Sequence, residues 1–143
     1  MILSGGILSN PFGHIAIATT GQGVYSYGTA QYGYGSSATG YINDQLKGRN
    51  VSLITLKTTA AQEKTILQAM RAFSGKNYSA KSNNCSDAVG TALGNAGIGE
   101  GDVGWSPMLP NAVAGMALGQ PGAPAATIMQ GGTAPAGLNA FNH

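Results

Sequence analysis

The stretch that most constrains how this chain can fold begins at Cys85, the only cysteine among 143 residues. Apolar residues then recur at the i, i+3, i+4 and i+7 spacing of one helical face. These residues are Cys85, Ala88, Val89, Ala92, Leu93 and Ala96. Asn84 suits the N-cap and Gly97 the C-terminal stop. The pattern predicts a helix with the thiol in its first turn, where free backbone N–H groups and the helix dipole favour a thiolate.

His14 is the second residue of interest, because the other histidine, His143, ends a Gly/Ala/Pro-rich tail and is expected to be frayed. The run that begins at His14 alternates, with Ile15 and Ile17 on one side and the imidazole on the other. This period of two predicts a strand that buries the isoleucines and leaves His14 on the opposite face. A glycine-rich turn and a returning strand within residues 21–28 complete a predicted hairpin.

Each of these two residues has an ordinary structural explanation. A lone cysteine on the apolar face of a helix is more often a small buried hydrophobe, and a lone strand histidine more often has no role. Together, however, a cysteine at a helix start and a histidine on a strand supply the nucleophile and the imidazole base of a thiol hydrolase. Cys85 and His14 are therefore the candidate catalytic pair.

The rest of the chain predicts further elements from its branched residues, apolar stripes and capping patterns. They are an extended lead-in at 1–12, a helical turn at 42–47, a strand at 51–57, a capping-box helix at 59–73 and a short helix at 111–118. From Gly119 onward Gly, Pro and Ala dominate, which predicts irregular structure. The sequence thus predicts an α+β domain over residues 1–118 and a Gly/Ala/Pro-rich C-terminal tail over residues 119–143.

Composition argues against several classes of function. Charged residues make up 8% of the chain and the net charge is +2, without the Lys/Arg cluster that nucleic acid binding needs. One cysteine and two distant histidines give no metal-ligand spacing, and no cofactor is expected. A single cysteine also excludes an internal disulfide. Because no apolar run approaches about 18 residues, membrane insertion is not expected, and the start of the sequence does not have the pattern of an ordinary signal peptide.

Two short motifs carry a resemblance to a known family. One is the strand Gly13-His14-Ile15-Ala16-Ile17 with the Gly-x-Gly-Val-Tyr-Ser-Tyr-Gly run after it, and the other is Asn84-Cys85-Ser86 with Tyr78 upstream. They resemble the NlpC-type papain-like fold, in the circularly permuted order that places the histidine first and that includes lecithin:retinol acyltransferase-like enzymes. The Asn-Asn-Cys-Ser-Asp form is similar to domains of bacterial RHS-type and other polymorphic toxins and secretion-system effectors. Over residues 10–97 the resemblance implies an antiparallel sheet packed against helices, including the nucleophile helix.

The resemblance also implies a role for each matching residue. Cys85 would be the nucleophile and His14 the general base, with the backbone N–H of Cys85 or Ser86 at the oxyanion site. The residues expected to border the oxyanion or the substrate are Ser86, Asn84, Tyr78 and Tyr27. Tyr78 could equally be a packing residue.

The residue that orients the histidine is where this chain departs from the family pattern. The family usually has a His, Asn, Gln or Glu on the strand after the catalytic histidine, whereas this chain has Tyr25, Ser26 and Tyr27 there. Ser26 is the preferred candidate. A backbone carbonyl or the hydroxyl of Tyr27 is the alternative.

A Gly/Tyr-rich stretch follows the hairpin, and Tyr32-Gly33-Tyr34-Gly35 is its most prominent part. It could provide aromatic rings that stack on a sugar or a peptide. Its tyrosines could also be ordinary strand and loop residues.

By resemblance, the leading hypothesis is a cysteine hydrolase that cleaves an amide bond in bacterial peptidoglycan peptide. Such an antibacterial effector would be secreted or injected by a specialised secretion system, would act in the target-cell periplasm, and would have a cognate immunity protein. It could be part of a larger secreted carrier polypeptide. The alternatives are a thiol acyltransferase, a lipid hydrolase or a protein-directed protease or deamidase on the same scaffold. A further alternative is a non-enzymatic binding module in which Cys85 is buried and His14 is incidental.

Overall fold

A five-stranded antiparallel sheet organises the computed structural model, which describes residues 1–6, 8, 11–28, 34–99 and 109–142. The strands are β1 (Ile2–Ser4), β2 (His14–Thr19), β3 (Gly23–Tyr25), β4 (Val51–Ile54) and β5 (Ala125–Ile128). The helices are α1 (Ala38–Leu46), α2 (Ala60–Ala72), α3 (Cys85–Asn95), α4 (Pro110–Leu118) and a 3₁₀ helix (Ala136–Phe141). The strand order across the sheet is β3-β2-β1-β4-β5. The predicted α+β class is therefore confirmed.

The first strand occupies the middle of the sheet although it is only three residues long. β1 pairs with β2 on one side and with β4 on the other, so that Ser4 lies opposite both His14 and Val51. The sequence predicts only an extended lead-in here. Pairing on both sides explains why so short a segment is held as a strand.

The predicted hairpin is formed by β2 and β3, with Ile17 opposite Tyr25 and Thr19 opposite Gly23. Gly23 has a φ of 73°, and a Cβ on this residue would lie 2.4 Å from the carbonyl oxygen of Ser36. A glycine is required here for both reasons. β3 ends at Tyr25, earlier than the predicted strand, which extended to residue 28.

The two faces of the sheet have different partners. Ile15 and Ile17 belong to a buried cluster with residues of α2 and α3. Ala16 belongs to a second cluster with Tyr41 and other residues of α1. α4 packs against α3 and β4. Because side chains alternate along a strand, this arrangement confirms that His14 lies on the face away from the isoleucines.

Capping explains where the two longest helices begin. Thr59 caps α2, its hydroxyl accepting a hydrogen bond from the N–H of Gln62, and the Gln62 side chain bonds back to the N–H of Thr59. The capping box predicted from the sequence is therefore confirmed. Asn84 caps α3 as predicted, and Gly97 follows its end with a φ of 68°.

The helical turn predicted at 42–47 is the end of a longer helix, because α1 begins at Ala38. Ser37 caps this helix by accepting a hydrogen bond from the N–H of Gly40. The side chain of Asn142 accepts further bonds from the Ser37 hydroxyl at 2.9 Å and from the N–H of Thr39 at 3.1 Å. The start of α1 is therefore held by a residue more than 100 positions away in sequence.

The prediction of an irregular segment after Gly119 is wrong. Residues 125–128 form β5, which pairs with β4 in register from Val51 opposite Ile128 to Ile54 opposite Ala125. The Ser52 and Thr127 hydroxyls are hydrogen-bonded at 2.8 Å across this pair. β5 is short, its residues are mostly exposed, and its side chains are small, so its sequence gives little strand signal. The segment after residue 118 thus contributes to the same sheet as the rest of the chain.

Within the described ranges, no helix has both the length and the apolar character needed to cross a membrane.

Candidate active site

Cys85 is the first residue of α3, and the capping of this helix fixes its position. The Asn84 side-chain oxygen accepts hydrogen bonds from the N–H groups of Ser86 at 2.8 Å and Asp87 at 3.1 Å. The Asp87 carboxylate in turn accepts a bond from the N–H of Asn84 at 2.9 Å. The Ser86 N–H, one of the two predicted oxyanion donors, is therefore already bonded to Asn84. The Cys85 N–H is the better placed donor of the two.

The thiol of Cys85 is a protonated, buried group in the resting protein. The residue is 5% exposed, and burial raises the pKa of its thiol. The pKa of the thiol is lowered by hydrogen bonds from the N–H groups of Ile15, Cys85 and Ser86 and from the Ser86 hydroxyl. Burial has the larger effect. Burial of Cys85 therefore opposes the thiolate that the helix N-terminus favours. The favourable backbone dipoles are present, but the apolar surroundings outweigh them.

The imidazole of His14 is held by Ser26, the preferred orienting residue. Its Nε2 lies 2.6 Å from the Ser26 hydroxyl oxygen. The hydroxyl of Tyr41 lies 3.2 Å from the same oxygen, on the face of the sheet that carries α1. Burial, and next the positive charge of Arg49, lower the pKa of His14 to about 4. The ring is therefore neutral at neutral pH, and both burial and the charge of Arg49 oppose its protonation.

Cys85 and His14 lie near the start of β2, on opposite faces of the sheet. The thiol lies in the apolar cluster with Ile15, and the N–H of Ile15 is among the groups that act on its sulfur. That N–H belongs to the peptide joining Ile15 to His14, whereas the imidazole partner Ser26 contacts the α1 face through Tyr41. No hydrogen bond joins the imidazole to the thiol. Since Ser26 occupies Nε2, the nitrogen that remains for Cys85 is Nδ1.

Tyr27 and Tyr78 lie together beside the start of α3, but only Tyr78 has an accessible surface. Tyr27 is 0% exposed, and its hydroxyl donates to the Lys76 carbonyl at 3.0 Å and accepts from the Asn83 side chain at 2.9 Å. Its hydroxyl is therefore not available to orient His14. The Tyr78 ring packs on Tyr27 with centroids 5.7 Å apart. Tyr78 also packs against the buried cluster that includes Cys85, and burial, and next the neighbouring Cys85, raise the pKa of its hydroxyl.

The aromatic loop expected to stack on a ligand is only partly described. Tyr32 and Gly33 lie outside the described residues. Tyr34 is a packing residue, because its hydroxyl donates to the Met70 carbonyl at 2.7 Å and its ring lies edge-on to Tyr25 at 5.2 Å.

Two residues of the site were not found from the sequence. Tyr41 contacts Ser26 from α1, and Arg49 acts on His14 from the loop after that helix. Tyr41 lies in the Gly/Tyr-rich stretch, but only the tertiary packing of α1 shows its relation to Ser26. Arg49 belongs to no motif.

In the described part of the chain, no group of three or more His, Cys, Asp or Glu side chains could hold a metal ion. A cavity of about 60 Å³ lies at the opposite end of β2, where its lining includes Ile17, Thr19 and Leu53 but neither Cys85 nor His14. The cavity is therefore separate from the candidate pair.

Comparisons with protein-family models, with curated proteins and with solved structures find no match for this chain.

Proposed function

We propose that the protein is a cysteine hydrolase with a permuted papain-like arrangement, and that its substrate is an amide bond in bacterial peptidoglycan peptide. One observation carries the proposal. The thiol at the start of α3 lies against the peptide that follows His14, and the imidazole of that histidine is held by a buried serine. A nucleophile, a base and a group that orients the base are the parts that thiol acyl chemistry requires.

The resting protonation states favour a mechanism in which the proton moves during attack. Nδ1 of His14 takes the proton of the Cys85 thiol while the sulfur attacks the carbonyl carbon of the scissile amide. The N–H of Cys85 stabilises the oxyanion. The imidazolium then gives its proton to the departing amine as the C–N bond breaks, which leaves a thioester on Cys85. His14 next takes a proton from water, whose oxygen attacks the thioester, and the carboxylic acid product and the free thiol are released.

In the structure Cys85 packs with Ile15 on the face of the sheet that carries α2 and α3, whereas His14 and Ser26 lie on the α1 face. This reaction therefore requires a rearrangement at the start of β2 that brings the imidazole to the thiol. Ser26 keeps Nε2 occupied throughout, so that Nδ1 is the nitrogen presented to the sulfur. The role of Ser26 is therefore to position the base.

The substrate class and the biological setting rest on the resemblance of the motifs. We propose that the protein is an effector that is secreted or injected and acts in the periplasm of a target cell. A cognate immunity protein that covers the site belongs to this proposal.

Digestion of purified peptidoglycan sacculi by the wild type and by Cys85→Ala tests the proposed function. We expect the wild type to release muropeptide fragments, which mass spectrometry would identify together with the bond that was cleaved. Cys85→Ala is expected to release none, and its thermal unfolding would show whether it is folded. If the folded wild type releases no fragment under conditions in which a known amidase does, the peptidoglycan proposal is wrong.

A second candidate is favoured by the burial of the thiol. Cys85 is 5% exposed, the pKa of its thiol is raised, and it has no hydrogen bond to His14. These properties suit a non-enzymatic binding module in which the cysteine is a core residue. An acylating probe distinguishes the candidates, because a hydrolase reacts covalently at Cys85 and a core cysteine does not.

A further inference from the structure

Arg49 is a cation near the candidate active site, and no carboxylate of the described residues pairs with it. It follows α1 and is half-buried. Within the same residues its guanidinium makes one hydrogen bond, from Nη1 to the Gly5 carbonyl oxygen, and at 3.4 Å this bond is long. The ion pair seen among the described residues, Lys47 with Asp44, does not include it.

The backbone of β1 positions this guanidinium beside His14. Gly5 directly follows Ser4, and Ser4 lies opposite His14 in the β1–β2 register. The Gly5 N–H donates to the Asn50 carbonyl at 2.9 Å, which fixes the residue after Arg49 against the same end of β1. The charge of Arg49 also lowers the pKa of His14, in agreement with this placement. The guanidinium and the imidazole therefore lie at one end of the β1–β2 pair.

The chemistry of this position fits an anion. A guanidinium presents five N–H donors in a planar fork that matches the two oxygens of a carboxylate, and here four donors have no partner in the described part of the chain. A partly buried charge is costly to keep unpaired, and a charge-assisted pair recovers that cost. Ser4 is 1% exposed, and its hydroxyl has no hydrogen-bond partner among the described residues. It is a further polar group in the same region.

We propose that Arg49 binds a carboxylate of the substrate, so that the preferred substrates are acidic peptides. This inference rests on the proposed hydrolase function and names its substrate class. Arg49 would determine specificity, whereas Cys85 and His14 would carry the reaction.

Two synthetic stem peptides test the inference, one with a free carboxylate on its glutamate residue and one with a carboxamide at that position. Binding is measured by calorimetry in the Cys85→Ala protein, which cannot turn the peptides over. We expect the carboxylate peptide to bind roughly 10- to 100-fold more tightly than the carboxamide, and Arg49→Gln to remove this preference. Arg49→Lys, which keeps the charge but not the fork, is expected to retain part of it.

Lys57→Gln is the matched control, because it removes one exposed positive charge away from His14. It is expected to leave the preference unchanged. Equal affinity for the two peptides, absence of binding by either, or the same loss in Lys57→Gln would overturn the inference. Hydrolysis by the wild type is measured separately. Cleavage of both peptides at the same rate refutes the role of Arg49 alone, whereas selective binding without cleavage refutes the hydrolase alone.

Discussion

The imidazole Nε2 of His14 lies 2.6 Å from the hydroxyl oxygen of Ser26, across neighbouring strands of the sheet. Ser26 is 2% exposed, and its oxygen also lies 3.2 Å from the hydroxyl of Tyr41. This short chain of three side chains fixes which nitrogen of the ring is left for Cys85. A hydroxyl therefore occupies the position that orients the base in the proposed hydrolase.

Ser26→Ala tests this relationship. Without the hydroxyl the ring can rotate and its tautomer is no longer fixed, so we expect kcat to fall roughly 10- to 100-fold with little change in KM. Tyr41→Phe leaves the serine in place and is expected to have a smaller effect, about two- to tenfold. Hydrolysis of a soluble muropeptide would be followed at several substrate concentrations to separate kcat from KM.

The control for these variants is Ser52→Ala, which also removes a serine hydroxyl and one hydrogen bond, but on the far side of the sheet. Its activity should equal that of the wild type. A Ser26→Ala protein that is as stable and as active as Ser52→Ala would show that Ser26 does not position the base.

The lowered pKa of His14 predicts how stability depends on pH. In the folded protein the ring titrates at about 4, whereas in the unfolded chain it titrates near 6.5. Between these values the unfolded chain binds more protons, so the stability contribution is complete above pH 6.5 and is lost as the pH falls towards 4. The free energy of unfolding should decrease over this range by an amount on the order of 2–3 kcal/mol.

Urea unfolding of the wild type and of His14→Gln at several pH values would measure this contribution. The glutamine variant does not titrate at this position, so the difference between the two proteins removes the effect of all other groups. The difference should change steadily between pH 6.5 and 4. A difference that does not vary with pH would mean that the ring is not buried as the structure shows.

Local sequence signals were sufficient to predict where α2 and α3 begin. Thr59 with Gln62, and Asn84 with Asp87, are neighbours in sequence, and their side chains satisfy backbone groups of the same turn. The alternation of side chains that begins at His14 can likewise be read from the residues of that strand alone. These features could be predicted because the residues that cause them are close together in the chain.

The features that could not be predicted from the sequence depend on contacts between residues that are distant in the chain. β1 is a strand because β2 and β4 flank it, and β5 is a strand because β4 offers a free edge. In the site, Tyr41 contacts Ser26 only because α1 packs on that face. The burial that raises the pKa of Cys85 likewise comes from distant residues, so it cannot be read from the sequence, whereas the helix dipole can.

Burial of the thiol predicts low reactivity in the resting protein. Because the pKa of Cys85 is raised and the residue is 5% exposed, iodoacetamide should label the native protein more slowly than the denatured protein at pH 7. Labelling should accelerate as the pH rises above 9, the usual pKa of the group. Mass spectrometry of timed samples would follow the reaction. Rapid labelling that persists at pH 5 would instead indicate a resting thiolate–imidazolium pair and contradict the proposed protonation states.

The two capping residues form a matched pair that separates stability from activity. Asn84→Ala and Thr59→Ala each remove one N-cap, and each should lower the free energy of unfolding by about 1 kcal/mol. Only Asn84 fixes the turn that carries Cys85, so we expect Asn84→Ala to reduce kcat about tenfold or more and Thr59→Ala to leave it unchanged. Asn84→Asp keeps an acceptor of the same length and should restore activity. Denaturant unfolding and muropeptide hydrolysis would be measured on all three proteins. Equal losses of activity in the two alanine variants would mean that the cap of α3 acts only through overall stability and that the position of Cys85 does not depend on it.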